Sequence, residues 1–228
     1  MTLFGLAGEL GAGKTLTLTY LAWKNWFMRR RKIYSNYHLF KIPYILVQSF
    51  EAFDKMKEGF VAMDELWRLI DSRASLTLRN RVTANILAKS RKRGLIIAFT
   101  VQVLDSIDKR VRKIMDFTAY PILNATESIC KVVVFRTGYP KAGTYMKTFY
   151  FRTPLIFECY DTNEEIEPWE DDAEFKELIV FQPNFNPEHG YLCECEKCGT
   201  KLFKSWEEAD KYAESYWRKA FRTKLGLI

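Results

Sequence analysis

The sequence predicts an α/β fold: a mainly parallel sheet with helices on both faces, an antiparallel hairpin extension and a small C-terminal module. Three observations predict it. Short apolar runs alternate with helical stretches through the first half of the chain. Two β-rich segments then flank a turn containing glycine and proline. A cysteine cluster and one amphipathic helix close the chain.

Leu3–Ala7 is an apolar run short enough for a buried strand, and Lys14–Arg31 reads as a helix. Ile33–Asn36 predicts a second short strand. Residues 37–49 read as irregular, punctuated by Pro43, and Phe50–Lys57 as a short helix. Gly59–Met63 is an apolar run ending in Asp64 and Glu65, as expected of a buried parallel strand. Leu66–Arg73 reads as loop or helix, and Thr77–Lys92 as a helix stopped by Gly94. Leu95–Thr100 predicts a central strand, Ser106–Met115 a helix and Phe117–Leu123 a further strand. Ile129–Phe135 and Tyr145–Phe151 flank Gly138–Gly143, a hairpin signal. Asn163–Glu174 is acidic and reads as linker, and Ser205–Arg222 as the last helix. The expected organisation is residues 1–160, an acidic linker 161–187, and a cysteine-cluster module 188–228.

Gly8-Glu9-Leu10-Gly11-Ala12-Gly13-Lys14-Thr15 fits G-x-x-x-x-G-K-[ST], the phosphate loop of P-loop NTPases. Strand before and helix after match the context that motif needs, in a RecA/ASCE-like order. Its glycines let successive backbone N–H groups turn toward phosphate oxygens, and the helix N-terminus at Leu16 adds its positive end. Lys14 is expected to reach the β- and γ-phosphates of ATP, and Thr15 to sit on Mg²⁺. Asp64, at the carboxyl end of its strand, is placed to hold the Mg²⁺ shell through water. Glu65 has the chemistry to orient or deprotonate an attacking water.

The chain has 228 residues, with 48% hydrophobic and 15% aromatic side chains, enough for a packed core. No stretch of 18 apolar residues exists, so no transmembrane helix is expected. The chain opens directly in its first strand, without a signal-like segment, which predicts the cytoplasm of a host cell. Charge is uneven. Residues 1–160 carry 26 Lys and Arg against 12 Asp and Glu; residues 161–228 carry 9 against 16. A basic nucleotide-binding half favours a polyanionic partner, double-stranded DNA above all. Arg29–Lys32 and Arg91–Arg93 are its densest clusters.

Arg91–Gln102, a basic helix end, a glycine, an apolar strand and a polar Gln just beyond, resembles the corresponding stretch of the FtsK/HerA superfamily of DNA-pumping ATPases. Ile33–Asn36 after a basic helix end, Asp64-Glu65 and the Ser90-Arg91 step are similar to the zonula occludens toxin-like proteins of filamentous phages and to viral genome-packaging ATPases. The resemblance covers roughly residues 2–123. It implies that Gln102 senses the γ-phosphate or the attacking water. It also implies a homo-oligomeric ring, usually a hexamer, whose sites are completed by a neighbour's arginine. Arg91 is the first candidate, with Arg93, Arg110 and Arg112 behind it. Toxin-like members usually carry a membrane span after this domain; its lack here favours a soluble packaging motor or a conjugation-type ATPase, with a capsid or portal protein as further partner. A nucleotide-switched assembly protein without motor activity is the alternative.

Cys195-x-x-Cys198-Gly199 resembles one knuckle of a zinc ribbon, although the usual second C-x-x-C is absent. His189 and Cys193 are near enough in sequence to complete a four-ligand zinc site. A reduced loop, or a Cys193–Cys198 disulfide of the kind thermophiles form, stays open beside it. Cys130 and Cys159 read as buried thiols, and His38 as a surface or packing residue.

Overall fold

Strand β1 (Thr2–Ala7) runs up the middle of a ten-stranded sheet, buried from Leu3 onward except at Phe4. The computed structural model describes residues 2–49, 51–65, 93–107, 109–137, 143–166 and 176–224. The expected helix 77–92, the segment 66–73, Arg91, the hairpin residues 138–142 and the linker residues 167–175 lie outside the described residues.

Helix α1 (Lys14–Arg29) follows the phosphate loop. Leu18, Ala22 and Trp26, at four-residue spacing, bury one stripe of it against the sheet. It stops at Arg30, whose left-handed backbone (φ 52°) lets its N–H reach Trp26 O at 2.8 Å. Next come β2 (Ile33–Ser35), β3 (Tyr44–Leu46), the single-turn α2 (Ala52–Lys55) and β4 (Gly59–Met63). β3 falls inside the stretch expected to be irregular: three residues after Pro43 are too few to show a period. β5 (Leu95–Val101) is one residue longer than expected. The helix expected over 106–115 is instead a 3₁₀ turn at Leu104–Ser106 and a short helix, α3 (Lys109–Ile114).

β6 (Phe117–Asn124) joins β1 in parallel, and β7 (Ile129–Arg136) and β8 (Thr144–Arg152) form the expected antiparallel extension beyond it. α4 (Pro154–Phe157) leads to β9 (Leu178–Phe181), β10 (Lys201–Phe203) and α5 (Trp206–Lys224). The sheet order is β10-β9-β3-β2-β4-β5-β1-β6-β7-β8. Its six inner strands are parallel, and antiparallel pairs cap both edges. β9 lies in the stretch read as linker, yet it pairs with β3, and α5 lies over β9 and β10. No helix among the described residues is long and apolar enough to cross a membrane.

This order positions the site. β5 stands between the phosphate-loop strand β1 and the acid-bearing strand β4. Because all three run parallel, their carboxyl ends open on one edge of the sheet, the usual ligand edge of such sheets.

Candidate functional site

A cavity of about 350 Å³ opens at those carboxyl ends. Leu10, Gly11, Gly13, Lys14, Thr15 and Leu16 form its floor; Asp64, Glu65, Thr100 and Gln102 form one side. Gly8, Glu9 and Ala12 belong to the same loop but do not line the cavity. The carbonyls of Gly8 and Glu9 accept hydrogen bonds from Lys14 Nζ at 2.9 and 2.8 Å, and Ala12 N–H closes the turn on Glu9 O at 3.3 Å. Gly13 has φ 91°, and a Cβ there would sit 3.4 Å from both Cys130 Sγ and Leu123 Cβ. Those contacts are ordinary van der Waals distances, so the positive φ, not the space, is what calls for glycine here. No side chain caps α1 at Gly13, so its first-turn donors at Lys14, Thr15 and Leu16 face the cavity they line.

The acids follow from register. Met63 pairs with Phe99, so Asp64 arrives beside Thr100. Asp64 Oδ1 accepts from Thr100 Oγ1 at 2.5 Å, and Oδ2 accepts from Thr15 Oγ1 at 2.9 Å. Thr100 Oγ1 in turn accepts the Glu65 backbone N–H at 2.8 Å. Glu65 has a left-handed backbone (φ 47°), uncommon for a residue with a Cβ. That bend turns the chain off the strand and sets the Glu65 side chain on the cavity wall. Asn36, just past β2, makes a reciprocal pair with the Asp64 backbone: Asp64 N–H to Oδ1 at 2.7 Å and Nδ2 to Asp64 O at 2.9 Å. Its amide side chain continues the β2–β4 ladder where β2 itself has ended.

Burial pushes the Asp64 carboxyl above its usual 3.8. The hydroxyl bonds from Thr100 and Thr15 oppose that rise, and the Glu65 charge adds to it. Burial likewise lowers the Lys14 ammonium, against the pull of Asp64 and Glu65. A hydroxyl and a carboxylate oxygen 2.9 Å apart are hard donors suited to Mg²⁺, and an ammonium beside first-turn N–H groups suits a triphosphate. The residues present therefore fit both groups.

Sequence reasoning missed the opposite wall, made by Tyr160, Asp161, Glu164 and Ile166. Glu164 is held by His38, whose backbone N–H and Nδ1 both meet its carboxylate, the latter at 2.6 Å. Tyr37, almost fully buried, also lines the cavity, and its hydroxyl is bonded to Thr19 Oγ1 at 3.0 Å. Thr100 was missed as well; the available signal is a lone hydroxyl in an apolar strand, two residues before Gln102. Gln102 lines the cavity as expected. Of the arginines, Arg91 lies outside the described residues, as does the side chain of Arg110, and Arg112 is ion-paired with Asp105.

A second cluster lies beyond β9. One donor atom each from His189, Cys193, Cys195 and Cys198 falls within 4.8 Å of all the others. His189 Nδ1 is 3.0 Å from Cys195 Sγ and 3.6 Å from Cys198 Sγ. The Cys198 backbone N–H, 3.5 Å from Cys195 Sγ, holds that thiol down at about 6. All five cysteines are free thiols, so the Cys193–Cys198 disulfide considered from sequence is not formed; Cys130 and Cys159 are buried as expected.

No protein-family model matches the chain, and no curated protein matches it. Solved structures do. The N-terminal domain of zonular occludens toxin from Neisseria meningitidis matches 71% of this chain and 100% of its own, at 15% identity and TM-score 0.49. The flagellar accessory protein FlaH from Methanocaldococcus jannaschii matches 66% and 84%, at 17% identity and TM-score 0.43. The genome packaging NTPase B204 from Sulfolobus turreted icosahedral virus 2, in complex with sulfate, matches 64% and 96%, at 12% identity and TM-score 0.45. Identities this low describe shape, and function is argued from the site.

Proposed function

We propose that this protein is an ATPase that drives movement or packaging of double-stranded DNA for a virus or mobile element, in the manner of the FtsK/HerA superfamily. One observation carries the hydrolytic part: Thr15 Oγ1 and Asp64 Oδ2 meet at 2.9 Å on the floor of a cavity that Lys14 and Glu65 also line. ATP with Mg²⁺ supplies an electrophilic γ-phosphate whose bridging oxygen leaves with ADP. Lys14 and the first-turn N–H groups of α1 bind the phosphates and counter the charge that develops there. Thr15 and Asp64 would hold Mg²⁺, which would neutralise charge on the phosphates. Thr100 fixes the Glu65 backbone, so that Glu65 takes the proton of a water attacking opposite the leaving oxygen. Gln102, on the same wall, orients that water. An arginine of a neighbouring protomer, Arg91 first, completes each site of a ring, and the host-cell cytoplasm provides the nucleotide. The cofactor reading extends to zinc at His189, Cys193, Cys195 and Cys198.

Charge and surface support a nucleic-acid partner. Strands β6, β7 and β8 carry Lys131, Arg136, Lys147 and Arg152 and no acid. They also expose Tyr120, Tyr145 and Tyr150. Cations and exposed aromatic rings together suit a phosphate backbone and its bases.

The test is ATP turnover with and without duplex DNA, alongside mass in solution. Duplex DNA is expected to stimulate turnover, and the mass to rise to that of a ring with ATP. Lys14→Ala should abolish turnover. Glu65→Gln should keep ATP binding and lower kcat by about 10²-fold or more. A monomer whose turnover ignores DNA would overturn the motor and leave a nucleotide-switched assembly protein, and full activity in Glu65→Gln would remove the assigned base.

A further inference from the structure

We infer that His189, Cys193, Cys195 and Cys198 hold one zinc ion, and that this metal clip fixes the wall of the nucleotide cavity opposite the phosphate loop. The ligand geometry is assembled. Four donor atoms lie within 4.8 Å of one another, and two His189–cysteine separations are 3.0 and 3.6 Å. Tetrahedral zinc, with bonds of about 2.0–2.3 Å, spaces its ligands by under about 4 Å, so small shifts close the site. Three sulfurs and one imidazole nitrogen are zinc's preferred donors, and no acid belongs to the set.

The loop itself needs a staple. Residues 182–200 join β9 to β10 without regular secondary structure, and a loop this long is uncommon unless something organises it. It bends through left-handed backbone at Gly190, Leu192 and Gly199 (φ 69°, 58° and 63°). Leucine pays for that conformation in strain, which persists only where the surroundings over-determine it. Zinc would bind the three sulfurs as thiolates, and any proton they still hold passes to solvent as the Zn–S bonds form.

Tyr191, between His189 and Cys193, carries the effect to the cavity. Its hydroxyl donates to Asp161 Oδ2 at 2.7 Å. Its ring stacks on His38 with centroids 4.3 Å apart and planes 7° apart. His38 in turn holds Glu164. Asp161 and Glu164 both line the cavity, so one tyrosine anchored at the clip braces two of its wall residues. This coupling rests on the nucleotide reading of the cavity; the metal site does not.

The experiment uses the full chain, purified without chelator. Mass spectrometry of the metal should find about one zinc per chain. A Cys195→Ser/Cys198→Ser double variant should hold almost none. Cobalt added to stripped wild-type protein should give thiolate-to-metal absorption bands. Zinc below about a tenth per chain, together with no cobalt bands, overturns the site. ATP affinity is then measured by fluorescence. Stripped protein (prepared with a chelator that ignores Mg²⁺) and zinc-loaded Tyr191→Phe should both bind ATP about threefold more weakly, the size of one lost hydrogen bond. Unchanged affinity in both overturns the coupling. A zinc-loaded wild type that binds no ATP sinks the nucleotide reading and the coupling together, and leaves the metal site standing.

Discussion

Asp64 shows how a single residue is held against its own preference. It is buried, and burial raises its carboxyl above 3.8, while the proposed function asks it to face a cation. Hydroxyls from Thr15 and Thr100 take the place of lost water on its two oxygens. A carboxyl whose folded pKa is raised stabilises the fold fully below its unfolded value. That share is lost as pH rises through the folded value. Asp64→Asn keeps the shape and stays neutral at every pH. Without nucleotide or Mg²⁺, the variant should melt at the same temperature as the parent at about pH 3, below the ordinary aspartate value of 3.8. Its advantage should grow as pH rises toward 7. ATP turnover should meanwhile vanish. A melting difference that ignores pH, or a variant less stable at pH 7, contradicts this account. Asp64 was legible because two acids close an apolar run downstream of a phosphate loop. Thr100 was not: a threonine at a strand end looks the same whether or not its hydroxyl joins two neighbouring strands.

Strands deliver those residues, and their ends matter more than their middles. β2 stops at Ser35, but Asn36 continues its ladder with side-chain atoms and so ties the β4 end to β2 at Asp64. Asn36→Ala leaves the N–H and C=O of Asp64 without those partners in a buried place. The expected loss is about 2 kcal/mol, since unpaired buried groups cost about 1–3 kcal/mol each and some water enters. Calorimetry should also show weaker Mg²⁺-dependent ATP binding, because the Asp64 backbone loses its fix. A variant that melts like the parent and binds ATP as well would show the pair to be incidental. The inner strands other than β3 were legible as short runs bounded by turn residues. β3 and β10, three residues each, are below the length at which a period can be read. Leu178–Phe181 stands next to an acidic stretch and ahead of Pro183, so its apolar run was absorbed into a linker. Its pairing with β3 is a long-range contact that local pattern cannot carry.

Across the whole molecule, the acidic C-terminal residues fold onto the basic half. Arg30 pairs with Asp210 at 3.5 Å and Glu214 at 2.6 Å. Two indoles lock the same junction: Trp26 Nε1 donates to Asp210 Oδ1 at 2.7 Å and Trp217 Nε1 to Lys41 O at 2.6 Å. Val180, Phe181, Trp206, Ala209, Ala213 and Trp217 belong to the same hydrophobic core as β1 and α1. Their four large side chains, at about 1.5–3 kcal/mol each, stabilise by about 6–12 kcal/mol. That is comparable to the whole stability of a typical domain, about 5–15 kcal/mol. A chain cut after residue 160 should therefore lose its cooperative melt and expose Trp26, which is fully buried in the intact protein. Tryptophan emission should shift to the red, and ATP binding should fall with it, because Glu164 leaves the cavity wall. Tryptophan fluorescence during heating checks the first expectation, and calorimetry with ATP the second. If residues 1–160 instead melt sharply at the parent temperature and bind ATP equally well, the C-terminal strands and helix are an appendage to a core that stands without them.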